Sequence, residues 1–343
     1  MKFSKVIGMF TLTGVVIVAM MAIQSEAKST RKLGLSSTLS PNSCIEIAAD
    51  KFRDTVKEKS DGQIEIIRYP SCELFDAKSE IEAVSMGGVD MGMLHGAYVG
   101  SRSAILEFIS SFGAVGVWES YDHYWRFIDQ PEVREFVESE FKQKLNAKVL
   151  GIVSYGTSLV GNRVRPIKTV EDYKGIKMRA SGKAQATLYK TLGAIPVEIS
   201  SNEVFMALQR GTIDGAASGP SRFYFSKWYE VTPYITQDYT VPYLSFWLSI
   251  NLKKWNSLSK KEQEILQTTG REIEVWTRNY VEKETETLYE KFKGGLVKEI
   301  YFMPQSERDR IRETVEPVMH KLALERIGAE KGAILWELLK KAR

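Results

Sequence analysis

Stretches with helical spacing of apolar residues alternate with strand-like stretches along this chain, and this alternation limits its fold most strongly. The segment from Ile45 to Val56 has one apolar helical face, and Ile64, Ile66 and Tyr69 then alternate as in a strand. A second helix is predicted over Ser79–Met86, before a buried strand that begins at Met91. Helices and strands in this order, joined by short loops, indicate an α/β fold with a doubly wound sheet.

The chain is long enough for two domains, since 343 residues exceed the usual size of a single hydrophobic core. Residues 156–168 are rich in Gly, Arg and Pro and are predicted to cross into the second domain. A strand over Lys177–Ala180 and a helix over Ala184–Leu192 follow. Ser200-x-x-Glu203 predicts a capping box that opens another helix, and Tyr243–Asn251 reads as a later strand.

A long helix is predicted after a second capping box, Ser259-x-x-Glu262. No proline occurs from there to Gly294, and apolar residues fall on one helical face. At 1.5 Å per residue this helix would be roughly 50 Å long, which is enough to span both domains. The alternative is two helices broken at Gly270.

The first 27 residues have the pattern of a secretory signal. Lys2 and Lys5 precede an apolar stretch from Val6 to Ile23, and Ser25-Glu-Ala27 supplies small residues for cleavage. A retained membrane anchor is the alternative. Export to an oxidising compartment would allow a disulfide between Cys44 and Cys72, and two unpaired buried thiols are the other option.

The composition argues against several kinds of partner and site. The net charge is only +4 and no Lys/Arg-rich run occurs, which argues against nucleic acid as a partner. Three histidines and two cysteines leave little material for a zinc site. The chain lacks a phosphate loop, a Gly-x-Gly-x-x-Gly motif and a His-Glu-x-x-His motif, so no enzyme activity and no cofactor are predicted.

Four segments carry a resemblance to a known family. They are Phe52–Ile66 with Gly88–Met93, Arg165–Ile167 with Asp172–Arg179, Leu192–Val197 with Glu203–Gly215, and Trp228–Val231 with Asn251–Leu258. In this order they resemble the solute-receptor (P) subunit of tripartite ATP-independent periplasmic (TRAP) transporters, from residue 33 to about 270.

The resemblance implies a two-lobe periplasmic binding protein fold with a ligand cleft between the lobes and a long helix bridging them. Lobe I would comprise residues 31–156 and about 245–283, and lobe II residues 157–244 and about 284–338. The function implied is a periplasmic receptor that closes on an organic acid and delivers it to the small and large integral membrane subunits. A secreted two-lobe α/β enzyme with His95 as base, or a sensory binding protein, is the alternative.

The resemblance also implies site residues. Arg179 matches the arginine that pairs with the ligand carboxylate in this family, and a guanidinium suits that role because it grips a carboxylate with two hydrogen bonds. Arg163, with Asn162 as alternative, is the candidate for a second polar group, and His95 and Ser218 fall at ligand-contacting positions. Candidates for lining the cleft are Thr38, Tyr155, Ser201, Tyr98, Phe223 and Trp247. The aromatic residues favour a ligand with an apolar or aromatic tail.

Overall fold

The computed structural model describes residues 30–238 and 245–343, so the predicted signal segment lies outside the described residues. The strands are β1 Arg31–Ser36, β2 Ile64–Tyr69, β3 Met91–His95, β4 Ala147–Ser154, β5 Leu159–Asn162, β6 Lys177–Ala180, β7 Ile195–Glu198, β8 Gly215–Ser218, β9 Tyr234–Gln237, β10 Ser245–Asn251 and β11 Glu299–Phe302. The α-helices are α1 Cys44–Lys59, α2 Ser79–Met86, α3 Ala104–Ile109, α4 Tyr121–Ile128, α5 Pro131–Lys144, α6 Lys183–Thr191, α7 Val204–Arg210, α8 Pro220–Phe225, α9 Leu252–Asn256, α10 Lys260–Lys291, α11 Gln305–Ile327 and α12 Ala329–Lys341. None of these helices combines the length and the apolar character needed to cross a bilayer.

The strands form two sheets, as the alternating pattern predicts. The first has the order β2-β1-β3-β10-β4, and the second has the order β11-β9-β5-β8-β6-β7. In the first sheet β10 runs antiparallel to β3 and β4, and in the second β5 runs antiparallel to β8 and β9. The chain changes sheet between β4 and β5, between β9 and β10, and again between β10 and β11, so each lobe is built from separate stretches of sequence. The fold is therefore a two-lobe α/β fold.

Helix α10 is unbroken over its 32 residues and packs on both lobes. Its predicted capping box is present, because Ser259 Oγ accepts the N–H of Glu262 and the Glu262 carboxylate accepts the N–H of Ser259. Gly270 lies against β4, where a Cβ atom would stand 2.5 Å from the carbonyl oxygen of Leu150. This glycine therefore permits close packing of helix on strand, and the alternative of a break at Gly270 is wrong.

Two predicted helix starts are corrected by the structure. Helix α1 begins at Cys44 with Ser43 as its N-cap, rather than at Ser40-Pro41, because Asn42 has a φ of 68°, outside the right-handed helical region. Helix α7 begins at Val204. The Glu203 carboxylate does accept the N–H of Ser200, but the Ser200 hydroxyl makes no capping bond, so only half of the predicted box forms.

The C-terminal helices pack across the predicted domain boundary. Helix α11 contacts both α6 of the second lobe and α3 of the first. The predicted boundaries put residues 284–338 in lobe II, but α12 packs on α4 of the first lobe. There His123 Nε2 lies 2.8 Å from the carbonyl oxygen of Leu339, and Arg126 donates to that of Ala342.

Candidate ligand-binding cleft

Polar side chains converge where the carboxyl ends of parallel strands from both sheets face each other. His95 ends β3 and Arg179 is the penultimate residue of β6, while Ser218 ends β8. Tyr155 follows β4, whose last residue pairs with the first residue of β10. Ligands of open α/β sheets bind at the carboxyl ends of the strands, so a ligand site is expected at this edge.

Arg179 is 6% exposed and lies at the contact between the lobes. Its Nε donates to the carbonyl oxygen of Ile199 at 3.3 Å, and its Nη2 donates to Tyr98 Oη of the first lobe at 3.2 Å. The same phenol oxygen accepts the N–H of Ser201 at 3.3 Å. Arg179 forms no ion pair within residues 30–238 and 245–343, so its buried charge has no protein counter-ion there.

His95 lies among aromatic rings beside Arg179. Its ring centroid is 5.1 Å from that of Tyr98 and 4.6 Å from that of Phe246. Burial and the nearby charges of Arg179 and Arg222 lower the pKa of His95 to about 3, so the imidazole is neutral. Its Nδ1 accepts the N–H of Ala97 at 3.0 Å, which leaves the proton on Nε2 as a hydrogen-bond donor.

Tyr155 closes the other side of this aromatic group. Its ring lies 5.6 Å from that of Phe246, and it packs against Gly219, where a Cβ atom would stand 3.1 Å from the Tyr155 ring. The Tyr155 hydroxyl makes no side-chain hydrogen bond among the described residues, and burial raises the pKa of this phenol. The buried hydroxyls of Ser158 and Ser221 have no hydrogen-bond partner in the described part of the chain.

Arg222 is a second buried arginine at the cleft, and it is not among the residues predicted from the sequence. It lies in the short helix α8, is 9% exposed, and donates from Nη1 to Ser226 Oγ at 3.4 Å. No local sequence pattern marks Arg222, because it is the basic residue in the last turn of a short helix, where a cation is ordinary. Ser158 and Ser221 were not predicted either, since a lone serine carries no signal.

Polar contacts join the two lobes at the cleft, so the structure shows the cleft closed. Besides the contact between Tyr98 and Arg179, Ser40 Oγ lies 3.0 Å from Ser226 Oγ. Asn202 Nδ2 lies 3.8 Å from Cys72 Sγ. Cys44 and Cys72 are both free thiols, so the option of a disulfide between them is wrong.

Arg163 is not brought into this cluster. It follows Asn162, which pairs with Gly215, whereas the cleft end of the same ladder is the pair of Leu159 with Ser218. The Arg163 side chain is 42% exposed and its Nη1 lies 4.0 Å from Asp214 Oδ1. The predicted second polar group therefore lies at the far end of the sheet.

Two predicted wall residues belong to the cores of the lobes. Trp247 is fully buried with its ring 5.3 Å from that of Phe141 on α5, and the adjacent Phe246 points to His95 because side chains alternate along a strand. Phe223 packs on Trp228 in the second lobe. Neither ring belongs to the aromatic group around His95, and a role of these two residues as cleft walls stays a prediction.

The remaining predicted residues lie at the rim of the cluster. Thr38 is 6% exposed, and its carbonyl oxygen accepts the S–H of Cys72 at 3.5 Å. Ser218 is half-buried at the end of β8, and Ser201 donates its N–H to Tyr98.

Within the described ranges, no group of three His, Cys, Asp or Glu side chains could hold a metal ion. The arrangement can bind an anion through two guanidinium groups, a neutral imidazole and several hydroxyls.

Comparison with known proteins shows that the chain is similar to solute-binding proteins. The model of bacterial extracellular solute-binding proteins of family 7 matches residues 35–326. The chain is 26% identical over 291 residues to the C4-dicarboxylate-binding periplasmic protein DctP of Rhodobacter capsulatus, covering 82% of this chain and 83% of that one. It is 25% identical over 317 residues to the sialic acid-binding periplasmic protein SiaP of Vibrio cholerae, covering 87% and 89%.

A solved structure has the same fold. The sugar acid binding protein of Advenella mimigardefordensis, in complex with galactonate, superimposes with a TM-score of 0.83 at 23% identity. The alignment covers 92% of this chain and 99% of that one. The comparison confirms the predicted two-lobe binding-protein fold.

Proposed function

The chain belongs to family 7 of the bacterial extracellular solute-binding proteins, the receptors of TRAP transporters. We propose that its ligand is a small organic acid that binds to Arg179. The family is one of receptors, which agrees with the prediction of binding rather than catalysis. The alternative of a secreted enzyme is not favoured. Neutral His95 then serves as a hydrogen-bond donor to the ligand rather than as a base.

The observation that supports an acid is the buried, unpaired charge of Arg179. Moving an ionised group out of water is costly unless a partner compensates it. The protein supplies Arg179 only with neutral acceptors, the carbonyl oxygen of Ile199 and the phenol of Tyr98. A ligand carboxylate would supply the missing negative charge and accept two parallel N–H bonds. Two relatives are named for binding C4-dicarboxylates and sialic acid, and the solved structure is a complex with galactonate, so all three proteins bind acids.

We also propose that the protein is exported to the periplasm and delivers its ligand to a membrane transporter. The relatives named above are periplasmic proteins, and residues 1–27 have the pattern of a secretory signal, which supports a periplasmic location. The closed cleft buries residues of both lobes together, so a ligand that contacts both would select the closed form. The small and large membrane subunits of a TRAP transporter would receive the ligand from this form.

A thermal-shift screen tests this function. The protein beginning at residue 28 is heated with mono- and dicarboxylates, keto acids, aromatic acids and sugar acids, with neutral sugars and amines as controls. Ligand at 100 times its Kd adds about 2.7 kcal/mol to the free energy of unfolding, a shift of several degrees. The shift should be confined to acids, lost in Arg179→Gln and kept in Arg163→Gln, whose side chain is remote. Stabilisation by neutral compounds alone would overturn the proposal.

A further inference from the structure

Arg222 is the second charged group at the cleft, and its position is set by the turn between β8 and α8. Gly219 caps α8 and packs on Tyr155, so α8 begins at the edge of the aromatic group. From there the Arg222 guanidinium lies 5.7 Å from the Trp228 ring centroid and reaches Ser226, which contacts Ser40 of the other lobe. Arg222 thus lies at the seam between the lobes.

No protein carboxylate neutralises Arg222 in the described structure. Arg222 forms no ion pair within residues 30–238 and 245–343. The undescribed segment 239–244 contains no Asp or Glu, and residues 1–29 contain only Glu26, inside the predicted signal. A guanidinium stays charged at any working pH, so it cannot escape the cost of burial by losing a proton. An anion from outside the chain would supply the missing negative charge.

The two arginines stand on opposite sides of one aromatic group. Arg179 contacts Tyr98, which neighbours His95, and Phe246 separates His95 from Tyr155. Tyr155 in turn borders the turn that carries Arg222. The lowered pKa of His95, to which both arginines contribute after burial, agrees with a ring that lies near both charges. The hydroxyls of Tyr155 and Ser221 lie on the Arg222 side and can donate to an anion.

We infer that this receptor selects a dianion, with one carboxylate on Arg179 and a second anionic group on Arg222. The inference rests on the proposed function, which needs only Arg179. It replaces the expectation of an apolar or aromatic tail, because a tail directed at Arg222 would leave a buried cation without a partner. The second group is a carboxylate, sulfonate or phosphonate, which share the negative charge and the acceptor oxygens.

Isothermal titration calorimetry with matched probes tests this selection. The probes are straight-chain dicarboxylates of three to six carbons, the monoamide of each, and the sulfonate and phosphonate analogues. The monoamides keep the shape and lose one charge. We expect the best dianion to bind at least about 30-fold more tightly than its monoamide, since a hydrogen-bonded charge pair contributes on the order of 10- to 100-fold. In Arg222→Gln this ratio should fall below about 3-fold, and Arg222→Lys should restore part of it.

The outcomes separate the two proposals. If Arg179→Gln binds as tightly as wild type, the proposed function fails whatever Arg222 does. If wild type binds monoamides or monocarboxylates as tightly as dianions, the dianion inference fails while the carboxylate receptor stands. Unchanged selectivity in Arg222→Gln also overturns the role of Arg222. Should that variant fail to fold, the wild-type ratio and mass spectrometry of the acid that copurifies decide between a dianion and a monoanion.

Discussion

The Nη2 atom of Arg179, on the second lobe, donates a hydrogen bond to the phenol oxygen of Tyr98, on the first lobe, at 3.2 Å. The N–H of Ser201 donates to the same oxygen, so Tyr98 accepts two bonds from the opposite lobe. Burial by itself would raise the pKa of Tyr98, but the charge of Arg179 and the bonds from Ser201 outweigh it and lower the pKa. Tyr98 therefore links the position of the main anchoring charge to closure of the cleft.

Replacing Tyr98 by Phe should weaken ligand binding without unfolding the protein. The change removes the acceptor that orients Arg179 and one contact that holds the lobes together. Hydrogen bonds to charged groups contribute about 1.5–3 kcal/mol, so affinity for the acid found by thermal shift should fall on the order of 10- to 100-fold. Calorimetry measures this loss.

Tyr124→Phe is the matched control for that prediction. Its hydroxyl donates to Ser245 Oγ at 3.0 Å inside the first lobe, away from Arg179. That variant should lose about 1 kcal/mol of stability and keep its affinity. Equal affinities of the Tyr98 variant and wild type would show that the contact is incidental.

Gly270→Ala should destabilise the protein although alanine favours helices. Propensity alone would gain about 1 kcal/mol, but the new methyl group would stand 2.5 Å from the carbonyl oxygen of Leu150. Neither backbone can retreat easily, because Gly151 of the same strand packs equally closely on Gly270. We expect the free energy of unfolding, measured by urea denaturation, to fall by about 2 kcal/mol.

The control is Gly294→Ala, whose added Cβ has no atom within 4 Å and which should leave the free energy of unfolding nearly unchanged. A stabilised Gly270→Ala would refute the close packing.

The long helix could be predicted from the sequence, whereas the position of Arg222 at the cleft could not. Periodicity and capping residues are local, so the long helix, its capping box and strands such as β2 and β6 were predictable. Arg179 was found because a family motif surrounds it. Arg163 and Arg222 could not be ranked by sequence, because which end of β5 faces the cleft depends on its pairing with β8. The pairing of strands that are distant in sequence decides which residues lie at the site, and no local sequence pattern encodes that pairing.

Glu80 should make the stability of the protein depend on pH. It lies in α2 of the first lobe, is fully buried, and forms no ion pair among the described residues. Burial raises its pKa to about 8, so the folded state holds a proton that the unfolded chain, with an ordinary carboxyl pKa, releases. Its contribution is therefore fully present below about pH 4.5 and is lost as the pH rises through 8.

Urea denaturation between pH 5 and pH 8 tests the role of Glu80. Wild type should lose up to about 1.4 kcal/mol per pH unit relative to Glu80→Gln, whose amide cannot ionise. Glu82→Gln changes an exposed carboxylate that pairs with Arg102, and its pH profile should follow that of wild type. Parallel profiles for wild type and Glu80→Gln would mean that Glu80 is ionised in the folded protein.

Cys72 should report closure of the cleft by its rate of alkylation. Its thiol is half-buried at the seam, where Asn202 of the second lobe lies 3.8 Å from Sγ, whereas Cys44 is fully buried in the first lobe. Opening of the lobes would withdraw Asn202 and expose only Cys72. N-ethylmaleimide at pH 8 should therefore label Cys72 and leave Cys44 unlabelled, as peptide mass spectrometry can show. Saturating acid from the thermal-shift screen should slow the labelling several-fold, and Asn202→Ala should lessen this protection. Equal rates with and without the acid would show that ligand binding does not close the cleft at this seam.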